Sequence, residues 1–222
     1  MCVIVYKPKG INIPDKDILH NCYINNNDGV GYTFTDRKNV VVKKGYKDFE
    51  LFYKDLLKDY KKHNLKEHNL IMHFRIGTSG GLTKEKTQPF KITNNVKELN
   101  KLYIKNKKTS IVHNGVFSNY TYNSNLSDTQ NYIKDFLQPL LVSGIRNKTE
   151  LIKDTLSYSK IAMLNNKDNV SLYGEYILDN GIYYSNNSYN NYYTKDNIKK
   201  YDFTNHYKKE KQTTYYYTNW IR

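Results

Sequence analysis

The residue of greatest chemical interest is Cys2, which follows the initiator methionine. A small side chain after Met1 favours removal of that methionine. Cys2 would then carry both a thiol and a free α-amine. The amine, with a reference pKa of about 7.7–8.0, can take the thiol proton near neutral pH, so one residue supplies nucleophile and base. The competing reading is a small buried side chain in a first strand. The histidines add little. His63 and His68 stand five apart in a lysine-rich segment, and His73 and His113 fall in strand-like runs where a structural role fits them best. No His/Cys/Asp spacing has the tightness of a zinc site, so no metal is expected, and no cofactor either. Gly29-x-Gly31 lacks the third glycine and the βαβ context of a dinucleotide loop. Cys22 reads as a core residue of the first helix. A Cys2–Cys22 disulfide would block the nucleophile, so Cys2 is expected as a free thiol.

The elements that must position such chemistry follow from patterning. Cys2 to Tyr6 is an apolar, β-rich run and predicts a buried strand. Pro14-Asp15 opens a short helix with Ile18, Leu19 and Cys22 on one side, broken at Asn25 to Gly29. Runs at 31–35 and 40–42 flank a turn and predict a hairpin. Phe49, Phe52, Tyr53, Leu56, Leu57 and Tyr60 have helical spacing. Leu70 to Ile76 is a second strand, followed by a Gly/Thr/Lys loop that ends in Gln88-Pro89-Phe90. A short helix is expected over Val96 to Ile104, and a strand over Ser110 to Phe117. Ser127-Asp128-Thr129-Gln130 has the form of a capping box ahead of Ile133, Phe136, Leu137 and Leu140. A helix over Glu150 to Leu156 precedes a run of strands to Ser185, with Asn180-Gly181 as a hairpin turn.

The chain has 222 residues, enough for a substantial core, and the order of elements predicts an α+β fold. Lys+Arg is 35 against Asp+Glu 21, a formal +14. Arginine occurs only at positions 37, 75, 146 and 222, and Asn, Lys, Tyr and Ile crowd the chain. That is the texture of AT-rich codons, so the charge reads as a solvated lysine surface, with room for weak nonspecific attraction to nucleic acid. Base readout and bidentate phosphate binding favour arginine. No apolar run approaches the ~20 residues needed to span a bilayer. The start does not have the form of a secretory signal, because its apolar stretch ends at Lys7. Two cysteines suit a reducing cytoplasm.

Five segments change the weight of Cys2. Behind Met1-Cys2 come His73-Phe74-Arg75-Ile76-Gly77-Thr78-Ser79-Gly80-Gly81, Gln88-Pro89-Phe90, Val112-His113-Asn114-Gly115-Val116-Phe117-Ser118-Asn119 and Ser127-Asp128-Thr129. In this order they resemble the glutaminase domain of class II glutamine amidotransferases, the N-terminal-nucleophile hydrolases. Cys2-Val3 stands where many relatives have Cys-Gly, and Ser79 where some have His. The Asn-x-Asp-Gly-x-Gly form at 26–31 is similar to stand-alone or phage-type members. The resemblance implies an αββα four-layer sandwich over residues 2–185, followed by a basic Tyr/Asn/Lys-rich tail over 186–222. It implies that Cys2 attacks the glutamine side-chain amide to give a thioester and ammonia. It also implies that the Asn114 amide and the Gly115 N–H stabilise the oxyanion. Arg75 and Thr78 would then hold the substrate α-carboxylate, and Asp128 its α-ammonium. In a chain that uses lysine almost everywhere, Arg75 amid Ile71, Phe74 and Ile76 fits a site that needs a planar fork.

The expected partners are glutamine, or a related small amide, and a separate synthase that accepts the ammonia, because no synthase domain follows within this sequence. Two rivals stay open. One keeps Cys2 and hydrolyses another small γ-glutamyl amide. The other is a non-catalytic binding protein, such as a viral one, that uses the basic tail.

Overall fold

A computed structural model describes residues 1–77, 81–123 and 125–190. In chain order the described strands and helices are β1 (Val3–Lys7), α1 (Lys16–Asn25), β2 (Gly29–Asp36), β3 (Asn39–Tyr46), α2 (Phe49–Lys62), β4 (Leu70–Arg75), β5 (Phe90–Lys91), α3 (Val96–Leu99), β6 (Tyr103–Asn106) and β7 (Ser110–Asn114). After them come α4 (Asp128–Tyr132), α5 (Gln138–Val142), α6 (Lys148–Asp154), β8 (Lys160–Leu164), β9 (Val170–Tyr173), β10 (Ile177–Asp179) and β11 (Ile182–Tyr184). A π-helical segment, Ile133–Leu137, joins α4 to α5.

The fold is mixed α and β, with two antiparallel sheets. One has the order β10-β11-β1-β4-β2-β3-β6, and the other β5-β7-β8-β9. Period-2 alternation decides what each face touches. Val3 and Val5 of β1 pack with Leu19 and Cys22 of α1 and with Phe52 and Leu56 of α2. Ile4, between them, joins Ile71 of β4 to Val112, Ala162 and Leu172 of the second sheet. Ile111, Ile161 and Met163 turn the other way, onto Tyr132, Ile133, Leu137, Leu140 and Ile152. Fully burying each such aliphatic side chain contributes about 1.5–3 kcal/mol.

Most of the expected elements are present. α2 begins at its N-cap, Asp48, whose carboxylate accepts the Leu51 N–H at 2.8 Å. The Ser127/Gln130 capping box forms in both directions. Asn180 and Gly181 sit at φ 49° and 79° and turn β10 into β11, as a type I′ hairpin needs. The helix expected over 96–104 is the exception. It stops at Leu99, and Tyr103–Asn106 pairs with β3 as an edge strand, where Ile104 packs on Val40 and Val42. Burial beside a β-branched ladder overrides the local helical spacing. Packing also continues past Ser185. Asn21 and Asn25 donate to the carbonyls of Tyr189 and Ser188, and the Tyr189 ring stacks on Tyr184 at 3.8 Å.

Candidate active site

The register brings the two ends of the sequence argument together. Val3 lies opposite Phe74, so Cys2 enters beside the end of β4, where Arg75 and Ile76 stand. The Ile76 N–H donates to Cys2 Sγ, and the thiol faces the Ile76 carbonyl, both at 3.4 Å. Burial pushes the Cys2 thiol above its ordinary pKa, against weaker lowering by the Ile76 backbone and the Arg75 charge. An unassisted thiolate is therefore scarce at neutral pH, and attack by this sulfur calls for a base. Cys2 and Cys22 are both free thiols, and Cys22 is buried on the core side of α1 as expected.

Cys2, Gly115 and Ile76 separate two cavities. The first, about 30 Å³, is lined by Cys2, Arg75, Lys86, Gln88, Gly115 and Asp128, with Ile76, His113, Ser127 and Thr129. The second, about 270 Å³, is lined by Met1, Cys2, Ile76, Asn114, Gly115, Val116 and Ser157 to Ser159. The described candidates from the sequence thus meet around the thiol, whereas Thr78 lies outside the described residues. Arg75 Nη2 donates to the Gly81 carbonyl at 2.8 Å, so a substrate carboxylate would share the guanidinium with that carbonyl or displace it.

Asp128 is buried in the first turn of α4, and its Oδ2 accepts the Phe117 N–H at 2.8 Å. That bond ties the helix start to the segment leaving β7. Below it, the rings of His113, Phe117 and Tyr132 stack with both centroid distances at 3.9 Å. Asn114 ends β7. It is buried, and its Nδ2 donates to Ser185 Oγ at 2.9 Å. Gly115 follows at φ 145°, and a Cβ there would sit 2.2 Å from Ser159 Oγ, so only glycine fits. Asn114-Gly115 is thus a strand exit, not the turn of a hairpin.

Several participants carried no assigned role in the sequence. Gln88 clamps the His113 peptide: Oε1 accepts the His113 N–H at 2.6 Å, and Nε2 donates to the His113 carbonyl at 3.2 Å. The Gln-Pro-Phe segment was the available signal. Gly31 lets this segment lie close, since a Cβ there would be 2.2 Å from the Gln88 carbonyl oxygen. Asp28 accepts the Gly77 N–H at 2.7 Å and so pins the exit of β4. His73 donates from Nε2 to the His113 carbonyl at 3.1 Å, which fixes its tautomer. Burial holds both imidazoles neutral, with pKa values lowered to about 3. Both lie in strands, β4 and β7, as the sequence indicated.

A larger cleft, about 930 Å³, opens at the other end of β2. Its acids are engaged: Asp36 by His63 and Lys105, and Asp59 by Lys43 at 2.7 Å and Tyr32 at 2.8 Å. Among the described residues, no three His, Cys, Asp or Glu side chains gather as a metal ion requires. Among them, too, no helix is long and apolar enough to cross a membrane.

No family model matches the chain, and no curated protein matches its sequence. Among solved structures it is similar to glutamine phosphoribosylpyrophosphate amidotransferase from B. subtilis, complexed with ADP and GMP. Identity is 19% over 83% of this chain and 41% of that one, with a TM-score of 0.50. It is also similar, with a TM-score of 0.49, to a structure described as the allosteric regulatory enzyme of purine biosynthesis, again at 19% identity and with the same coverage. The chain spans about two fifths of the length of these structures. At this identity, the likeness to the B. subtilis amidotransferase shows a shared fold.

Proposed function

We propose that this chain is a glutamine-hydrolysing amidotransferase domain of the N-terminal-nucleophile type, a stand-alone or phage-type member with an αββα four-layer architecture. The observation that carries the proposal is the lining of one cavity by Cys2, Arg75, Gly115 and Asp128, residues far apart in sequence. They supply a nucleophile, an oxyanion donor, a cation and an anion, as hydrolysis of a free amino acid's side-chain amide demands.

Removal of Met1 leaves the α-amine on Cys2. The amine takes the thiol proton as Sγ attacks the amide carbon. The oxyanion is held by the Gly115 N–H and the Asn114 amide; losing one such donor costs about 10²–10³ in rate. The tetrahedral species collapses, the C–N bond breaks, and the proton passes from the amine to the leaving nitrogen, which departs as ammonia. Water, deprotonated by the same amine, then cleaves the thioester to glutamate and restores the thiol. Arg75 pairs with the substrate α-carboxylate and Asp128 with its α-ammonium. Thr78 adds a contact to the same carboxylate. The ammonia passes to an acceptor carried by a separate cytoplasmic protein.

One feature favours the second substrate class. The 270 Å³ cavity beyond Cys2 leaves room for a substituent on the departing nitrogen, as in a γ-glutamyl amide. Ammonia release from glutamine, lost in Cys2→Ala, supports the first reading. Release of amine only from substituted γ-glutamyl amides supports the second. No release from either class refutes both.

A further inference from the structure

The nucleophile and the oxyanion donors belong to different sheets. Cys2 leads into β1 of the seven-stranded sheet, whereas Asn114 and Gly115 leave β7 of the four-stranded one. Apolar packing between sheets sets their separation but is non-directional. Catalytic geometry within about half an ångström needs directional cross-links. At the site, His73 of β4 supplies one, to the His113 carbonyl of β7, and Ser185 supplies the one that reaches the Asn114 amide itself. Ser185, directly after β11 and fully buried, accepts the Ile4 N–H at 2.8 Å and the Asn114 Nδ2–H at 2.9 Å on the same hydroxyl oxygen. Its own N–H donates to the Ile4 carbonyl at 3.0 Å. Its carbonyl accepts from Lys160 Nζ, on β8 opposite Asn114. The next residue, Asn186, donates to the Cys2 carbonyl at 2.7 Å.

We propose that Ser185 is a positioning residue, which orients the Asn114 amide toward the oxyanion and locks it to the strand that carries Cys2. The proposal rests on the functional reading above and extends it to a residue outside the motifs. A primary amide nitrogen carries two N–H groups. The bond to Ser185 uses one and fixes the amide plane, so the other is directed at a defined point. Asn114 Oδ1 is buried and has no hydrogen-bond partner among the described residues, so Ser185 is the anchor that holds the amide in place. Without the hydroxyl, the amide can rotate and the Ile4 N–H loses its acceptor.

The test is a double-mutant cycle on glutamine-dependent ammonia release by the full chain, using Ser185→Ala, Asn114→Ala and the pair. Ser185→Ala should lower kcat by about 10- to 100-fold, the scale of a misplaced catalytic group, with KM within about threefold. In the Asn114→Ala background the same substitution should add less than about threefold, because residues that act as a unit are not additive. Equal fold losses in both backgrounds would make Ser185 a general stabiliser and overturn the proposal. A wild-type protein that folds but releases no ammonia would defeat the functional reading separately. A second readout then still decides the role of Ser185: the ¹⁵N side-chain resonance of Asn114, assigned by its loss in Asn114→Ala, and exchange protection of the Ile4 amide. Both should change in Ser185→Ala. Retention of both overturns the proposal.

Discussion

Gly115→Ala probes the oxyanion exit most sharply. The added Cβ would lie 2.2 Å from Ser159 Oγ, 2.8 Å from Ser159 Cβ and 2.9 Å from Ser159 Cα, the last a backbone atom that cannot swing aside. The residue sits at φ 145°, where a side chain is strained by about 1–3 kcal/mol. Overpacking adds about 1–3 kcal/mol, so the total is about 2–6 kcal/mol. At about 2–4 °C per kcal/mol for a domain of this size, Tm should fall by roughly 4–24 °C. The lower part of that range leaves a folded protein at 20 °C, so activity can still be read there. The chain relieves the clash by moving the 114–116 peptide away from Ser159, which displaces the Gly115 N–H from Cys2. kcat for ammonia release should then fall by about 10²–10³, as for a lost oxyanion donor. Adding Ser159→Gly removes the two side-chain clashes and should restore part of the Tm but little of the rate, because the φ strain and the clash with the backbone of residue 159 persist. Calorimetry and a coupled glutamate assay measure the two effects. A Gly115→Ala protein with wild-type Tm and wild-type kcat would refute the reasoning.

Asp128→Asn keeps an oxygen for the Phe117 N–H but loses the charge that would meet an α-ammonium. A hydrogen bond to a charged group is worth about 1.5–3 kcal/mol, so KM for glutamine should rise by about 10- to 100-fold. Tm should stay within about 4 °C, as differential scanning fluorimetry would show. The buried histidines predict acid lability. His73 and His113 stay neutral in the folded chain down to a pKa of about 3, against 6.5 for the free side chain. The unfolded chain therefore binds more protons below about pH 6.5, and stability falls as pH drops from there toward 3, by up to about 1.4 kcal/mol per pH unit and histidine. His73→Gln can still donate to the His113 carbonyl but cannot titrate, so its Tm should vary less steeply between pH 7 and 4.5. An unchanged slope would show that His73 titrates freely.

Much of the fold was legible because its signals are local. Val3-Ile4-Val5 alternates between two apolar neighbourhoods, Ser127 and Gln130 cap α4, and Asn180-Gly181 turns a hairpin. The segment 96–104 misled because its apolar spacing suits either a helix or an edge strand, and only the β3 ladder decides between them. The site was legible where a residue type is chemically distinctive, as with Cys2 behind Met1 or an arginine in a lysine-rich chain. It was not legible where function depends on distance alone. Nothing near Ser185 in the sequence points to Ile4 or Asn114, and nothing near Gly115 points to Ser159. Equally hidden was the meeting of Lys86 and Gln88 with Cys2 and Asp128 in the lining of one cavity.

The central claim is that an amino-terminal Cys2 is the nucleophile of a site shaped for a glutamine-like zwitterion. Intact-mass spectrometry after treatment with an electrophilic glutamine analogue tests it directly. The expected result is a species lacking Met1 that gains a single adduct, mapped to Cys2 by peptide sequencing and suppressed by excess glutamine. An adduct on another residue, or a chain that keeps Met1 and releases ammonia at the full rate, would contradict it.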